Sequence, residues 1–321
     1  MRIGPACAAA ALGAALCLPA ASRAEAQTQA PAGGAPQPVQ ITASQGITWQ
    51  QNSQTVTANG NAKAVRGPVT VEADTLVAHY RKKPGATSGP AGAASAADEL
   101  NQGGAQLYQL DAIGHVHIFT KTDNAWGDHA VYSVDSQVLV LTGQHLKLTT
   151  AHDTVTAKDA IEYYSVKRIA IARGDARIVA DDGRSIAADT LVGYLAPPAP
   201  APGAQAPQTN GNNDILGQAG KLQKVDAFGH VVIHTQTDTA TGERGVYLPQ
   251  EGKARLGGNV HIIRGPNELA GADALVNMKT GVATLLAGKG GQVAGTIIPG
   301  SAQIPGQGPS QVPGAPKEKH K

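Results

Sequence analysis

Asp111-Ala112-Ile113-Gly114-His115-Val116 returns 115 positions later as Asp226-Ala227-Phe228-Gly229-His230-Val231, with five of the six residues unchanged. Ala73-Asp74-Thr75-Leu76-Val77 returns intact at the same offset as Ala188-Asp189-Thr190-Leu191-Val192. Gly127, Val131 and Tyr132 match Gly242, Val246 and Tyr247, again at 115. One constant shift in three separated places marks a duplication, and a fixed period is the signature of stacked repeat units. The copies are expected over residues 39–165 and 166–288.

Each copy holds a finer repeat, in which a glycine opens a strand and an acid follows 14 to 16 positions on. The pairs are Gly60 and Asp74, Gly114 and Asp128, Gly143 and Asp159, Gly174 and Asp189, Gly229 and Glu243, and Gly258 and Asp273. Two and four places beyond the glycine the residues are small or apolar: Ala62 and Ala64, Val116 and Ile118, Ala176 and Ile178, Val231 and Ile233, Val260 and Ile262. Leu146 and Leu148 fill the same role one place later in the third rung. Lys63, His117, Arg177 and His261 alternate with them. Alternation with period two buries one face and wets the other, as an antiparallel sheet does and a helix cannot. Arg66-Gly67, Asp182-Gly183, Gly257-Gly258 and Arg264-Gly265-Pro266 punctuate the strands at hairpin distances. An all-β fold of repeated antiparallel strands is predicted.

Residues 1–26 read as a secretory signal: Arg2, an apolar run from Ala6 to Ala21, then Ala24-Glu25-Ala26 before Gln27. Cleavage there predicts export to the periplasm; an uncleaved anchor is the alternative, for which the run is short. Cys7 and Cys17 both lie inside the signal, so the mature chain is expected to hold together by burial and hydrogen bonding without disulfides. Without the signal, 24 basic side chains face 23 acidic ones. That balance argues against nucleic acid as a partner. Residues 27–38 are expected to be a flexible linker, 83–104 and 196–220 mobile insertions, and the Gly/Pro-rich 289–321 a disordered tail.

Ten histidines invite a metal hypothesis, and His115 with His117 are the pair that would share a strand face. The second copy keeps His230 but has Val232 in the other place, so solvated histidines are the expectation and no metal or cofactor is predicted. The acids recur once per rung, whereas general acid–base work needs two facing one bond, so they are expected to serve turns, bonding nearby backbone N–H groups. Trp126 and Tyr132 could line a groove, Trp126 alternatively covering a strand edge. Arg81-Lys82-Lys83 reads as a solvated loop, although it would also suit a phosphate. With no G-x-S-x-G elbow, P-loop or dinucleotide fingerprint in the sequence, a non-enzyme is expected.

The strand starts and their acidic followers resemble the LptA/OstA family of periplasmic lipopolysaccharide-transport proteins. The stretches that carry the resemblance are Ala58-Asn59-Gly60-Asn61-Ala62 with Glu72-Ala73-Asp74-Thr75-Leu76-Val77, and Val140-Leu141-Thr142-Gly143 with Ala157-Lys158-Asp159-Ala160-Ile161. Gly258-Asn259-Val260-His261-Ile262 with Gly271-Ala272-Asp273-Ala274-Leu275-Val276 is a third. The resemblance implies a partly open β-jellyroll whose apolar groove takes the acyl chains of lipid A, and a bridge carrying lipopolysaccharide from inner to outer membrane. The groove face would then be Ala62, Ala64, Val116, Ile118, Leu146, Leu148, Ala176, Ile178, Val231, Ile233, Val260 and Ile262. Implied partners are inner- and outer-membrane transport proteins of similar architecture. The duplication departs from the family's shorter transport protein and leaves one long jellyroll or two stacked units open.

Two other classes compete. A structural or adhesive β-repeat protein of the envelope would fill its interior with side chains; the small Ala62, Ala64 and Ala176 speak for space instead. A carbohydrate-active enzyme on a β-solenoid would want a carboxylate cluster and more aromatics than 3%. An open jellyroll also leaves unpaired end strands, here near Ile41 to Trp49 and Gly281 to Leu286. Neither carries the Pro or Lys that blunts an edge, so head-to-tail homo-oligomers are expected.

Overall fold

The computed structural model describes residues 39–82, 105–197, 221–288 and 291–298. The expected signal, linker, nearly all of both insertions and most of the tail lie outside the described residues. The described chain is a succession of β-strands: β1 (Gln40–Thr42), β2 (Gly46–Gln50), β3 (Thr55–Arg66), β4 (Val69–Lys82), β5 (Ala105–Phe119) and β6 (Asn124–Ser133). There follow β7 (Val138–Thr142), β8 (Leu146–Thr149), β9 (Asp153–Ala157), β10 (Ala160–Tyr164), β11 (Ile169–Ala180) and β12 (Ser185–Leu195). The last are β13 (Leu222–His234), β14 (Thr239–Leu248), β15 (Lys253–Arg264), β16 (Asn267–Asn277), β17 (Val282–Leu286) and β18 (Ala294–Thr296). They form one 18-stranded antiparallel sheet that runs through both copies, the β10–β11 pairing carrying it across the copy boundary.

The long strands are bent in the middle. Pairing of β3 with β4 breaks register between Asn59 and Ala62, and the same break recurs in β4–β5, β5–β6, β11–β12, β12–β13, β13–β14, β14–β15 and β15–β16. Where the chain is interrupted outright, two short strands do the work of one bent strand. Thus β7 and β8 both pair with β6, β9 and β10 both with β11, β1 and β2 both with β3, and β17 and β18 both with β16. The sheet is therefore folded along a crease into two facing walls. Wall A holds β2, the first half of β3, the second half of β4 and so on through β7, β10 and β17. Wall B holds β1, β8, β9, β18 and the complementary halves. All-β, antiparallel, duplicated and jellyroll-like, the fold agrees with the reading of the alternation.

Local chemistry makes the crease. Gly60-Asn61, Gly114-His115, Gly174-Asp175, Gly229-His230 and Gly258-Asn259 each take two successive left-handed conformations, with φ near 80° at the glycine and 42–51° at the next residue. Glycine adopts this region freely, and Asn, Asp and His tolerate it better than other side chains. Ahead of every one of these glycines but Gly60 an acid lies at the crease, and its carboxylate fills the place of the missing side chain. A Cβ on Gly114 would collide with Asp74 Oδ2, and one on Gly229 with Asp189 Oδ2. Asp128 covers Gly143, Asp159 covers Gly174 and Glu243 covers Gly258 in the same way, while Ser44 and Gln45 cover Gly60. The spacing of 14 to 16 pairs each glycine with the acid that follows it; in space the acids from Asp74 to Glu243 each serve the glycine of the next rung, while Asp273 lies against Gly257.

Between the walls runs the core. In wall A one cross-strand row reads Ala58, Leu76, Ala112, Ala130, Leu141, Ile161, Ala172, Leu191, Ala227, Gly245, Leu256, Ala274. Small residues sit beside large ones along this row, and nearly all of it is buried. That alternation closes the interior of a chain with only two Phe and two Trp. One expectation changes: residues 294–296, assigned to a disordered tail, form β18 against Glu268 to Ala270 of β16. Three extended residues there satisfy backbone groups that the shorter β17 leaves open.

Gly229→Ala is expected to cost about 3 kcal/mol or more, because a left-handed alanine must also displace Asp189. Gly183, with φ of 83° but nothing within 4 Å of a built Cβ, pays only the backbone strain, so Gly183→Ala should cost about 1 kcal/mol. Urea unfolding midpoints of the two variants check the difference.

Candidate functional site: the interior and its mouth

All twelve expected groove residues lie on the inner faces of the walls. Ala62, Val116, Leu146, Ala176, Val231 and Val260 form the layer next to the crease, none more than 1% exposed. Their cross-strand partners are Ala73, Gly127, Ala157, Ala188, Gly242 and Gly271. Small residues collect here because the walls converge: a Cβ on Gly127 would lie 2.8 Å from Leu141 Cδ1. Ala64, Ile118, Leu148, Ile178, Ile233 and Ile262 form a second layer in wall B. Leu148 is partly buried and the other five are buried.

Among the described residues the inner faces pack into one core. Between Ile178, Ile186, Tyr247 and Met278, beside Asp153, Arg184 and Ser185, there remains a space of about 10 Å³, roughly what one water molecule needs. At the N-terminal end the column is uncovered: Ile47 stands in the inner row beside Ala58 yet is 51% exposed.

Opposite the crease the walls end in turns, and side chains hold this mouth shut. Tyr132, Tyr163 and Tyr247 project inward from wall A, and burial raises the pKa of each hydroxyl. Wall B supplies Arg264, whose guanidinium donates to the carboxylate of Asp238 and to the carbonyl of Gly281 in the β16–β17 turn of wall A. Asp238 is only 2% exposed and ends a turn in which Thr235 Oγ1 accepts its N–H at 2.9 Å. Thr120 to Asp123 and Thr150 to Asp153 repeat this turn on the same rim.

The crease carries the histidines. His115 Nδ1 lies 2.8 Å from Asp74, and His230 Nδ1 lies 2.9 Å from Asp189, both rings being almost fully exposed. The hydrogen bond to the carboxylate, then its charge, raises both imidazole pKa values above the usual 6.5. The bulge at Gly114-His115 keeps His115 from sharing a site with His117, which stacks on Trp126 with 5° between the rings and bonds Asn124 at 3.1 Å. Among the described residues no group of three His, Cys, Asp or Glu could hold a metal ion. Trp126 pairs with His117 on the outer face of wall B and neither lines the interior nor covers an edge. Asp128 bonds the Gln144 N–H at 2.7 Å, as expected of a turn acid, but Asp74 and Asp189 bond imidazoles.

Residues 40–168 match the family described as LptA/(LptD N-terminal domain) LPS transport protein, in line with the resemblance carried by the strand starts. None of the curated proteins compared matches the chain. Among solved structures it is similar to LptH, described as the LptA homologous periplasmic component of the conserved lipopolysaccharide transport device from Pseudomonas aeruginosa. The identity is 13% and the TM-score 0.36, over 46% of this chain and 95% of that one.

His115 and His230 should titrate above 6.5 in NMR, and Asp189→Asn should bring His230 down towards it. A raised folded pKa stabilises the fold fully below the unfolded value near 6.5. This contribution is lost as pH rises through the folded midpoints.

Proposed function

We propose that this chain, whose residues 40–168 match the LptA/LptD N-terminal family, is a periplasmic carrier in lipopolysaccharide transport. Acyl chains would lie between the walls, and the chain would hand its cargo along a bridge towards the outer membrane without chemical change. One observation carries the reading. Among the described residues, the walls of a continuous apolar interior are joined by backbone hydrogen bonds only through the crease, and side chains such as Arg264 hold the opposite mouth. Parting the mouth breaks no strand pairing. Burying roughly ten methylenes contributes about 8 kcal/mol, against about 2 kcal/mol for each charge-assisted hydrogen bond broken at the Arg264 clasp.

The ends suit a bridge. Among the described residues β1 and β2 pair only with β3, and β17 and β18 only with β16, which leaves a free strand row at each end. Strand addition there would extend both walls and cover Ile47. The partners would be other copies of this chain or membrane-bound transport proteins with similar walls.

The filled interior favours a second reading, a structural repeat protein that binds nothing, and binding decides between them. Ile118→Asp and Ile262→Asp should each abolish lipopolysaccharide binding, whereas Lys63→Glu on the outer face should not, since a buried unpaired carboxylate costs several kcal/mol, roughly, and an exposed one little. A disulfide across the mouth separates lost binding from lost folding. A Cβ on Gly281 would lie 3.7 Å from Thr237 Oγ1, so Thr237→Cys with Gly281→Cys, in a chain begun at Gln27, should load lipid when reduced and not when oxidised. Equal loading of both forms would overturn the opening mouth, and no binding by the wild type would leave the structural reading.

Sedimentation should show oligomers that grow with concentration. A chain that stays monomeric and binds no partner at either edge would refute the bridge.

A further inference from the structure

The two outer faces differ in what they leave exposed. Ile113, Phe228, Val246, Leu275, Val282 and Leu286 stand on the outer face of wall A, each between 39% and 60% exposed, next to residues that turn into the core. On the outer face of wall B the one such residue among the described strands is Ile263. The exposure repeats with the duplication. Val77 and Val131 flank Asp111 in one cross-strand row, and Val192 and Val246 flank Asp226 in the other. Ile113 and Phe228 stand beside these rows, again at an offset of 115. The outward Phe119, His117 and Trp126 of wall B are not repeated in this way, being His234, Val232 and Thr241 in the second copy.

Charge divides along the same face. Beside the rim pairs of Arg81 with Asp135 and Lys253 with Glu251, the first copy carries Asp111 and Glu162 there. The second copy carries Arg173, Lys224, Arg244 and Arg255 against Asp226 and Asp273. One half of the face is therefore acidic and the other basic. His79 holds Asp111 at 2.9 Å, Lys224 holds Asp226 at 2.8 Å and Arg255 holds Asp273 at 3.2 Å, so covering the face would leave these acids paired. Tyr164 and Tyr194 border it on the turn side, with Lys167 and Lys224 over their rings. Tyrosine and arginine are the residues that protein interfaces favour.

We propose that two copies of this chain pair through the outer faces of wall A, the first half of one lying over the second half of the other. A two-fold axis parallel to the strands at the copy boundary gives this pairing. It sets the acidic half on the basic half and the valines around Ile113 on those around Phe228, with rim over rim. Ile113 and Phe228 are six strands apart, about 29 Å. A partner must show two apolar patches at that separation with the charges in the opposite order, and a second copy does so by symmetry. The fourteen strands of wall A, about 4.8 Å apart and roughly five residues wide, present about 1,000 Å². A stable interface takes about 800 Å² from each partner. Sheets stack about 10 Å apart with their strands nearly aligned, as this axis direction allows. The pairing does not depend on what the interior holds and uses no edge strand, so paired chains can still extend at both ends.

Sedimentation equilibrium of the full chain under reducing conditions tests the pairing. Ile113→Arg places a cation over the partner's basic half, and Phe228→Glu places an anion over its acidic half. Each alone should raise the dimer dissociation constant at least tenfold. Both positions are about half exposed, so the variants should keep the urea midpoint of the wild type. An equimolar mixture of the two should return to within threefold of the wild type. In the mixed dimer one contact joins the introduced arginine to the introduced glutamate, and the other is native. Ile263→Arg on the outer face of wall B should change the constant by less than twofold, and an equal loss there would overturn the assignment to wall A. A wild type that stays monomeric, or single variants that associate as tightly as the wild type, would overturn the pairing; association through the free edges alone gives the second result. A mixture no tighter than either single variant would overturn the setting of first half on second half. Binding of the wild type to phosphatidylglycerol vesicles, lost in both variants while the protein in solution stays monomeric, would give the face to a bilayer and overturn the pairing.

Discussion

A carboxylate lying where the neighbouring glycine would carry its Cβ is the contact on which the rest of the fold depends. At the crease, a left-handed glycine on one strand meets an acid from the preceding rung, from Gly114 with Asp74 to Gly258 with Glu243. Two left-handed residues turn each strand out of one wall and into the other. The acid fills the notch this leaves and finds a donor nearby: the Gln144 N–H for Asp128, the imidazoles of His115 and His230 for Asp74 and Asp189. Both devices work within neighbouring strands, so they can be repeated without any long-range design, and the sheet grows by adding bent strands.

Folding every strand at the same place also sets the mechanics. Backbone hydrogen bonds run along each wall and continue through the crease, so the structure is stiff along its length. Across the mouth, by contrast, the clasp of Arg264 on Asp238 and Gly281 and the inward tyrosines are side-chain contacts. Small residues beside the crease bring the walls together where they are joined, and larger ones fill the gap towards the mouth. Such a body is well packed and has its weakest seam where side chains, not strand pairing, join the walls.

The duplication has preserved this framework more strictly than the outer faces. Asp74 on Gly114 and Asp189 on Gly229 are the same contact in the two copies. The outward stack of Phe119, His117 and Trp126 in the first copy has His234, Val232 and Thr241 in the second. The match to the transport family covers residues 40–168, and the crease continues beyond it through Gly174, Gly229 and Gly258.

The order of residues along the chain dictates the all-β fold, the repeat and the inward face of each strand, because period-two alternation and left-handed glycines are local properties legible one strand at a time. All twelve inner residues could be picked from their distance to a glycine. Which acid meets which glycine could not, since Asp74 and Gly114 are separated in sequence and meet only through the β4–β5 register. The outward place of Trp126 follows from the same registers, and the strand at 294–296 exists because β16 has free backbone groups beside it. That the inner rows of both walls meet in one core, and that Arg264 reaches the Gly281 carbonyl, are properties of two walls facing each other. They arise from residues far apart in sequence that only the folded sheet sets side by side.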